Sequence, residues 1–328
     1  MSTIKSEFRE NKKSSCFWRF NRFFEPVAEQ FQIGRDEILT TPLEKIDLLF
    51  IKREDLSPTG SHKFRSLVYQ LSRLSASGQK NAILSSSGNA AIAASRYAAS
   101  AKIQVFVFLS EKTPQNKLAA LTMKNIVPIL SNRPLRLAKY ASAHFKLPNL
   151  CPSRDSNATI GFRSLGLEIF EQTQTNGAVA NIFSFVTSGA SLLGIFDSYQ
   201  KLIEHGKLNK IPKLFGVTAS GNLAGNLSGK REKIAKNIEK ICDKSGGAVV
   251  KISDEQILST GQYLKKNGIL TSNEGVASFA AAKNVNPAGK TVVIFTGKKW
   301  DTMSIDSTKF LHAKNFADVD KILKDNGV

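Results

Sequence analysis

At 328 residues the chain can bury a large core, divided between roughly two lobes. Its 41% hydrophobic and 22% charged residues are those of a globular protein, and no apolar run reaches the length of a membrane span. A formal charge of +19 would attract nucleic acid, but Lys201, Lys207, Lys210, Lys213, Lys230, Lys233 and Lys236 are dispersed through polar stretches, without zinc-finger spacing, an RNA-binding aromatic signature or an arginine-rich arm. We therefore expect a solvated basic surface that concentrates small phosphorylated anions, with no nucleic-acid partner and no membrane partner.

Residues 1–7 open without an apolar signal segment. Cys16, Cys151 and Cys242 are odd in number and far apart, which suits neither a disulfide framework nor a zinc cluster, and the four histidines have no metal-ligand spacing. A reducing cytoplasm and a metal-free site are the resulting expectations. Ahead of the first regular element, Phe17, Trp18, Phe20, Phe23 and Phe24 form an aromatic patch that could cover the core or a neighbouring subunit.

Residues 48–51 have the length and apolar character of a buried strand, and Leu67, Leu71 and Leu74 recur at helical spacing just beyond. Further strands are predicted at 82–84, 104–108, 126–129, 182–186, 214–217, 248–250 and 292–295, with helices at 90–99, 116–124, 135–145 and 165–171 between them. This alternation predicts an α/β fold of two open, mostly parallel αβα lobes. The smaller, mobile, substrate-closing lobe is expected at 81–147, and the larger one is expected from 1–80 together with 148–328.

Ligands of such sheets gather in loops at the carboxyl ends of the strands. Lys63 follows the turn Ser57-Pro58-Thr59-Gly60 and opens a helix, whose positive end disfavours a protonated amine. A neutral amine is what attacks an aldehyde. The loop Ser86-Ser87-Gly88-Asn89-Ala90 lies between a strand and a helix, where hydroxyls and amides can take a carboxylate; read alone, it is equally a capping turn. Thr187, Ser188, Gly189, Ala190 and Ser191 occupy a similar position with small residues suited to phosphate, although neither a dinucleotide fingerprint nor a Walker loop is present. Thr296 offers a hydroxyl to a neutral heteroaromatic nitrogen. A lysine amine, a phosphate cradle, a carboxylate loop and that hydroxyl together suit pyridoxal 5'-phosphate reacting with an amino acid.

Taken in order, Thr41-Pro42-Leu43, Lys52-Arg53-Glu54-Asp55, Pro58-Thr59-Gly60-Ser61-His62-Lys63, Ser87-Gly88-Asn89-Ala90-Ala91, Gly161-Phe162-Arg163-Ser164-Leu165-Gly166 and Thr296-Gly297 resemble segments of the fold-type II pyridoxal-phosphate enzymes. The similarity runs over about residues 36 to 302. It is greatest to threonine synthase, with features of the ammonia-lyases and the tryptophan synthase beta chain, and it reads Gly161 to Gly166 as a helix start.

The resemblance implies that Lys63 carries the cofactor and moves protons, that Asn89 meets the pyridine 3-oxygen, that Thr187 to Ser191 surround the phosphate and that Thr296 meets the ring nitrogen. Ser86, Ser87, Gly88, Asn89 and Ala90 would take the substrate, and a homodimer is implied. The chain departs from the family pattern at Thr187 and Ala190, where glycine is usual, at Phe64, at Ile160 and in Lys298-Lys299-Trp300-Asp301. The expected reaction converts O-phospho-L-homoserine and water to L-threonine and phosphate, with Arg163 and Lys298 as candidates for the leaving phosphate. Ammonia loss from serine or threonine, a β-replacement and a non-catalytic ligand-binding homologue are the alternatives.

Overall fold

In the computed structural model, residues 16–86, 88–121, 124–225, 232–300 and 310–328 are described. Of the residues singled out above, Ser87, Lys230 and Asp301 lie outside these ranges. Two 3-10 turns, Phe17–Phe23 and Glu29–Phe31, precede strands β1 (Leu43–Ile46) and β2 (Leu49–Lys52) and helix α1 (Lys63–Ala76). Next come β3 (Asn81–Ser85), α2 (Asn89–Ala101), β4 (Gln104–Ser110), α3 (Gln115–Ala119), β5 (Ile126–Ser131) and α4 (Pro134–His144). A long helix, α5 (Asn157–Thr173), leads to β6 (Asn181–Phe185), α6 (Ala190–Glu204), β7 (Lys213–Ala219), α7 (Glu232–Ser245) and β8 (Ala248–Ile252). The described chain ends with α8 (Asp254–Lys266), α9 (Asn273–Val285), β9 (Thr291–Ile294), β10 (Leu311–His312) and α10 (Phe316–Asp325).

The strands form two sheets, as the alternation predicts. One has the order β1-β2-β9-β6-β7-β8 and the other β10-β5-β4-β3. Every pairing is parallel except the β1–β2 hairpin. Residues Val105 to Leu109 of β4 and all of β6 are buried, because helices cover both faces of each sheet. Leu48, expected in a buried strand, is 83% exposed at the hairpin turn, where Asp47 takes a positive φ of 53°. Of the helix expected over 116–124, residues up to Ala119 belong to α3 and 120, 121 and 124 are in turns, while 122 and 123 lie outside the described residues. The C-terminal segment, expected with the larger lobe, instead pairs β10 with β5 in the smaller sheet.

Close helix packing explains the glycines of α5. A Cβ on Gly161 would lie 2.6 Å from the Arg65 carbonyl on α1, and one on Gly194 of α6 would lie 2.5 Å from Phe162 Cβ. Gly166 faces Ser198 of α6 in the same way. These residues sit inside α5, which begins at Asn157, and not at a helix start as the resemblance suggested. The aromatic patch covers the chain's own core: Trp18 and Phe24 lie against Tyr69 of α1, and Trp18 Nε1 donates to the Ile33 carbonyl at 2.8 Å.

Beneath this patch lies a buried ionic cluster. The Glu168 carboxylate on α5 accepts from Lys52, from Arg65 at 3.0 Å and from Arg19 at 2.8 Å. Arg65 also donates to Glu54 at 2.7 Å. Surrounding cations hold the Glu168 carboxyl below its ordinary range against the opposing effect of burial. Phe64, one departure from the family pattern, is fully buried in the core, while its neighbour Arg65 belongs to this cluster.

Candidate active site

Lys63 is delivered by a tightly bonded loop. Gly60 takes a φ of 68°, its amide donates to the Ser57 carbonyl at 2.9 Å, and Ser57 Oγ binds both the amide and the carbonyl of Ser61. Ser61 bridges to Gly297, and Lys298 N donates to the Gly60 carbonyl at 2.8 Å. The Thr296 carbonyl accepts from the His62 amide at 3.0 Å and from His62 Nδ1 at 2.8 Å, which puts the ring proton on Nδ1. Burial and the neighbouring Lys63 charge push the His62 imidazole well below its ordinary range, so it is neutral. His62 therefore clamps the loop to the end of β9.

Lys63 is half-buried, with Nζ 5.4 Å from the centre of the Phe162 ring. Burial pushes its amine down to about 8, an effect only partly opposed by the Glu274 carboxylate. About one molecule in ten then carries a neutral amine at pH 7, against fewer than about one in a thousand for an ordinary lysine. The local geometry thus leaves a readily neutral amine at the start of α1.

The Asn89 loop meets the same point. Ser86 Oγ accepts from the amides of Gly88, at 3.0 Å, and Ala91, at 3.2 Å, so it caps the start of α2. Gly88 takes a φ of 125°, which an L side chain rarely adopts. Asn89 is half-buried, and its Oδ1 has no hydrogen-bond partner among the described residues. A Cβ on Gly297 would come within 3.0 Å of Asn89 Nδ2, so the glycine keeps a space open beside that amide.

Thr187, Ser188 and Gly189 lead from β6 to α6, whose first two residues are Ala190 and Ser191, and Thr296 follows β9, the strand beside β6 in the sheet. Gly189 takes a φ of 74°, whereas neither Thr187 nor Ala190 has a positive φ. Only the middle position of this loop therefore requires glycine, which accounts physically for the substitutions on either side. Ser191 and Leu192 present first-turn amides that have no intrahelical acceptor. The Thr296 hydroxyl makes no hydrogen bond to a described residue, and its carbonyl is occupied by His62.

Three of the expected loops converge on Gly297, those carrying Lys63, Asn89 and Thr296. The fourth is connected through packing: Gly194 of α6 lies against Phe162, whose ring is 5.1 Å from that of His62. Arg163, a candidate for the leaving phosphate, is instead tied to Asp197, to the Phe23 carbonyl and to Glu25. The Lys298 ammonium stands 3.9 Å from the centre of the Trp300 ring, beside the Lys63 loop.

Two charged residues at the site escaped the sequence reading. Glu274 enters because Ser272 N and Thr271 Oγ1 donate to the Gly297 carbonyl, at 2.8 and 3.1 Å, anchoring the start of α9. Lys117, on α3, lies over Gly88 with its Cγ 3.3 Å from where a Cβ would stand. Only the capping residue Ser272 ahead of Glu274 offered a local signal, and it marks a helix start without indicating a site.

A bare Asn89 oxygen, the space beside Gly297, open amides at a helix N-terminus and a lysine with a depressed pKa fit pyridoxal phosphate. Asn89, Thr296, Lys63 and the loop before α6 are the groups that would hold it.

Comparison with known proteins supports this fit. A threonine synthase of Mycobacterium bovis is 26% identical over 71% of this chain and 69% of its own length. A threonine synthase of Synechocystis sp. is 24% identical over 87% of this chain and 84% of its own. Among solved structures, O-ureido-L-serine synthase superposes with a TM-score of 0.66 at 14% identity, covering 84% of this chain and 92% of that one, which establishes a shared fold. A family model described as "Pyridoxal-phosphate dependent enzyme" matches residues 35–297, and the chain belongs to that family.

Proposed function

We propose that this enzyme acts as a threonine synthase, converting O-phospho-L-homoserine and water to L-threonine and phosphate. The observation that carries its chemistry is Lys63, a half-buried amine with a depressed pKa beside Asn89, Gly297 and Thr296. Relatives named threonine synthase, aligned over as much as 90% of the chain, support the choice of substrate.

Pyridoxal phosphate, when bound, supplies the electron sink that stabilises negative charge at the substrate carbons. Lys63 removes and returns protons at Cα and Cβ. The Asn89 loop receives the substrate carboxylate, with the Ser86 hydroxyl still free to donate while its oxygen caps α2. Phosphate leaves from Cγ and water adds at Cβ, which balances the reaction. His62, neutral and bonded to the Thr296 carbonyl, holds Lys63 in place and takes no proton.

A second reading, ammonia loss from serine or threonine, has support from an L-threonine dehydratase of Lactococcus lactis, 25% identical over 77% of this chain and 63% of its own length. The deciding assay gives the cofactor-loaded protein phosphohomoserine, serine and threonine separately. Phosphate released with an equal amount of threonine is expected. A 2-oxo acid from serine or threonine, with phosphohomoserine untouched, would replace the first reading by the second.

A further inference from the structure

Lys117 has the features of a cation awaiting a ligand. Its stem lies across Gly88, in the loop that begins α2 and presents Asn89. It is half-buried, yet among the described residues no hydrogen bond or ion pair joins its Nζ to an acceptor, and only burial and the Glu274 field act on it. Thr113 Oγ1 and Asn116 Oδ1, on the same short segment, are buried with no hydrogen-bond partner among the described residues, and so is Asn89 Oδ1. Buried polar atoms are ordinarily bonded, so unsatisfied atoms on the segment that carries Lys117 and on Asn89, beside the glycine its stem crosses, mark a place that a polar ligand completes. Glu274 acts electrostatically on both Lys117 and Lys63 and forms no ion pair with either among the described residues.

We propose that Lys117 is the specificity-determining cation of the cleft, holding the phosphate on the substrate's side chain, with the Asn116 amide and Thr113 hydroxyl able to turn donors toward the same oxyanion. The proposal rests on the amino-acid reading of the site given above. It assigns the phosphate to a residue of the smaller sheet's segment, away from Arg163, whose Nε and Nη1 are already engaged by Asp197, the Phe23 carbonyl and Glu25. It also separates two anion-binding tasks: the start of α2 takes the carboxylate common to all amino acids, and Lys117 takes the group that distinguishes this one.

The test measures equilibrium binding of two unreactive amino acids to the cofactor-loaded protein by calorimetry. One is 2-amino-5-phosphonopentanoate, and the other is norvaline, which has the same carboxylate and an uncharged tail. Lys117→Met keeps the stem over Gly88 and removes the charge. It is expected to weaken the phosphonate ligand about 10- to 100-fold while leaving norvaline within about two-fold, and Lys117→Arg should recover most of the loss. Equal weakening of both ligands, or no weakening of the phosphonate, overturns the assignment. Norvaline binding also reports that the variant is folded. If wild-type protein releases no phosphate from phosphohomoserine, the reaction proposed above fails, while a phosphonate preference lost in Lys117→Met still upholds the role of Lys117. If Lys117→Met turns phosphohomoserine over with unchanged KM, the role of Lys117 fails and the reaction stands.

Discussion

The molecule holds two groups of charged and polar side chains, and they are finished differently. Around Glu168, each carboxylate oxygen meets a cation or a hydroxyl, and Lys52, Arg65 and Arg19 all point inward on it. Around Gly297, Lys63 and Lys117 share only the distant field of Glu274, and Asn89 Oδ1 has no partner among the described residues. A buried charge without partners is expensive, so the first arrangement is what folding requires. On the reading proposed above, a cofactor and a substrate complete the second. Incomplete pairing beside two lysines therefore adds to residue type in marking the candidate site.

The comparison breaks most visibly at its two central residues. Lys63→Ala should reduce turnover by at least about a thousand-fold, and borohydride should no longer fix the cofactor to the protein, as mapped by mass spectrometry. A fixed adduct at another lysine would relocate the site. Glu168→Ala should leave turnover per folded molecule largely intact but lower stability by about 3–5 kcal/mol, read from urea unfolding, because buried Lys52 would lose its carboxylate partner and Arg65 one of its two. A loss under about 1 kcal/mol would mean that the cluster is not balanced in the way its geometry implies.

Much of this contrast was beyond reach of the sequence. The strand-helix alternation, the Lys63 turn and the loops at Asn89, Thr187 to Ser191 and Thr296 are local patterns, and residue order carries them. Pairing is not local. Arg163 looks available for phosphate until the fold brings Asp197 and Glu25 to it. Glu274 and Lys117 reach Lys63's surroundings from elements far away in sequence, through the Gly297 carbonyl and across Gly88. The family pattern alone marked Ala190 as a departure, whereas backbone conformation leaves Gly189 as the one loop position that needs glycine.

Two smaller effects sharpen the comparison through pH. Lys63 titrates near 10.5 when unfolded and at about 8 when folded, so between those values the unfolded chain holds more protons and stability rises with pH. Below about 8 the cofactor-free fold bears the full penalty of the buried ammonium. Lys63→Met should therefore melt higher than wild type at pH 7, with the gap closing as pH rises toward 10.5; a gap constant across that range would contradict the depressed pKa. Glu274 opposes that depression, so Glu274→Gln should move the pH midpoint of cofactor attachment to the acid side. Followed by absorbance, a midpoint that moves the other way would show that the carboxylate does not act on Lys63. Stability should change by no more than about 0.5 kcal/mol, in contrast to Glu168→Ala.

The return of β10 to β5 gives the smaller sheet a late component. Its other three strands emerge from the ribosome in succession, but residues 311–312 follow well over a hundred residues later. Until then β5 has an open edge, the kind of template on which nascent chains pair wrongly. α10 closes over α4 only at the same late moment, stacking Phe316 on Tyr140 with ring centres 4.2 Å apart. Truncating the last eighteen or so residues would leave the chemistry at Lys63 encoded in full, while leaving β5 a sticky edge throughout the life of the protein.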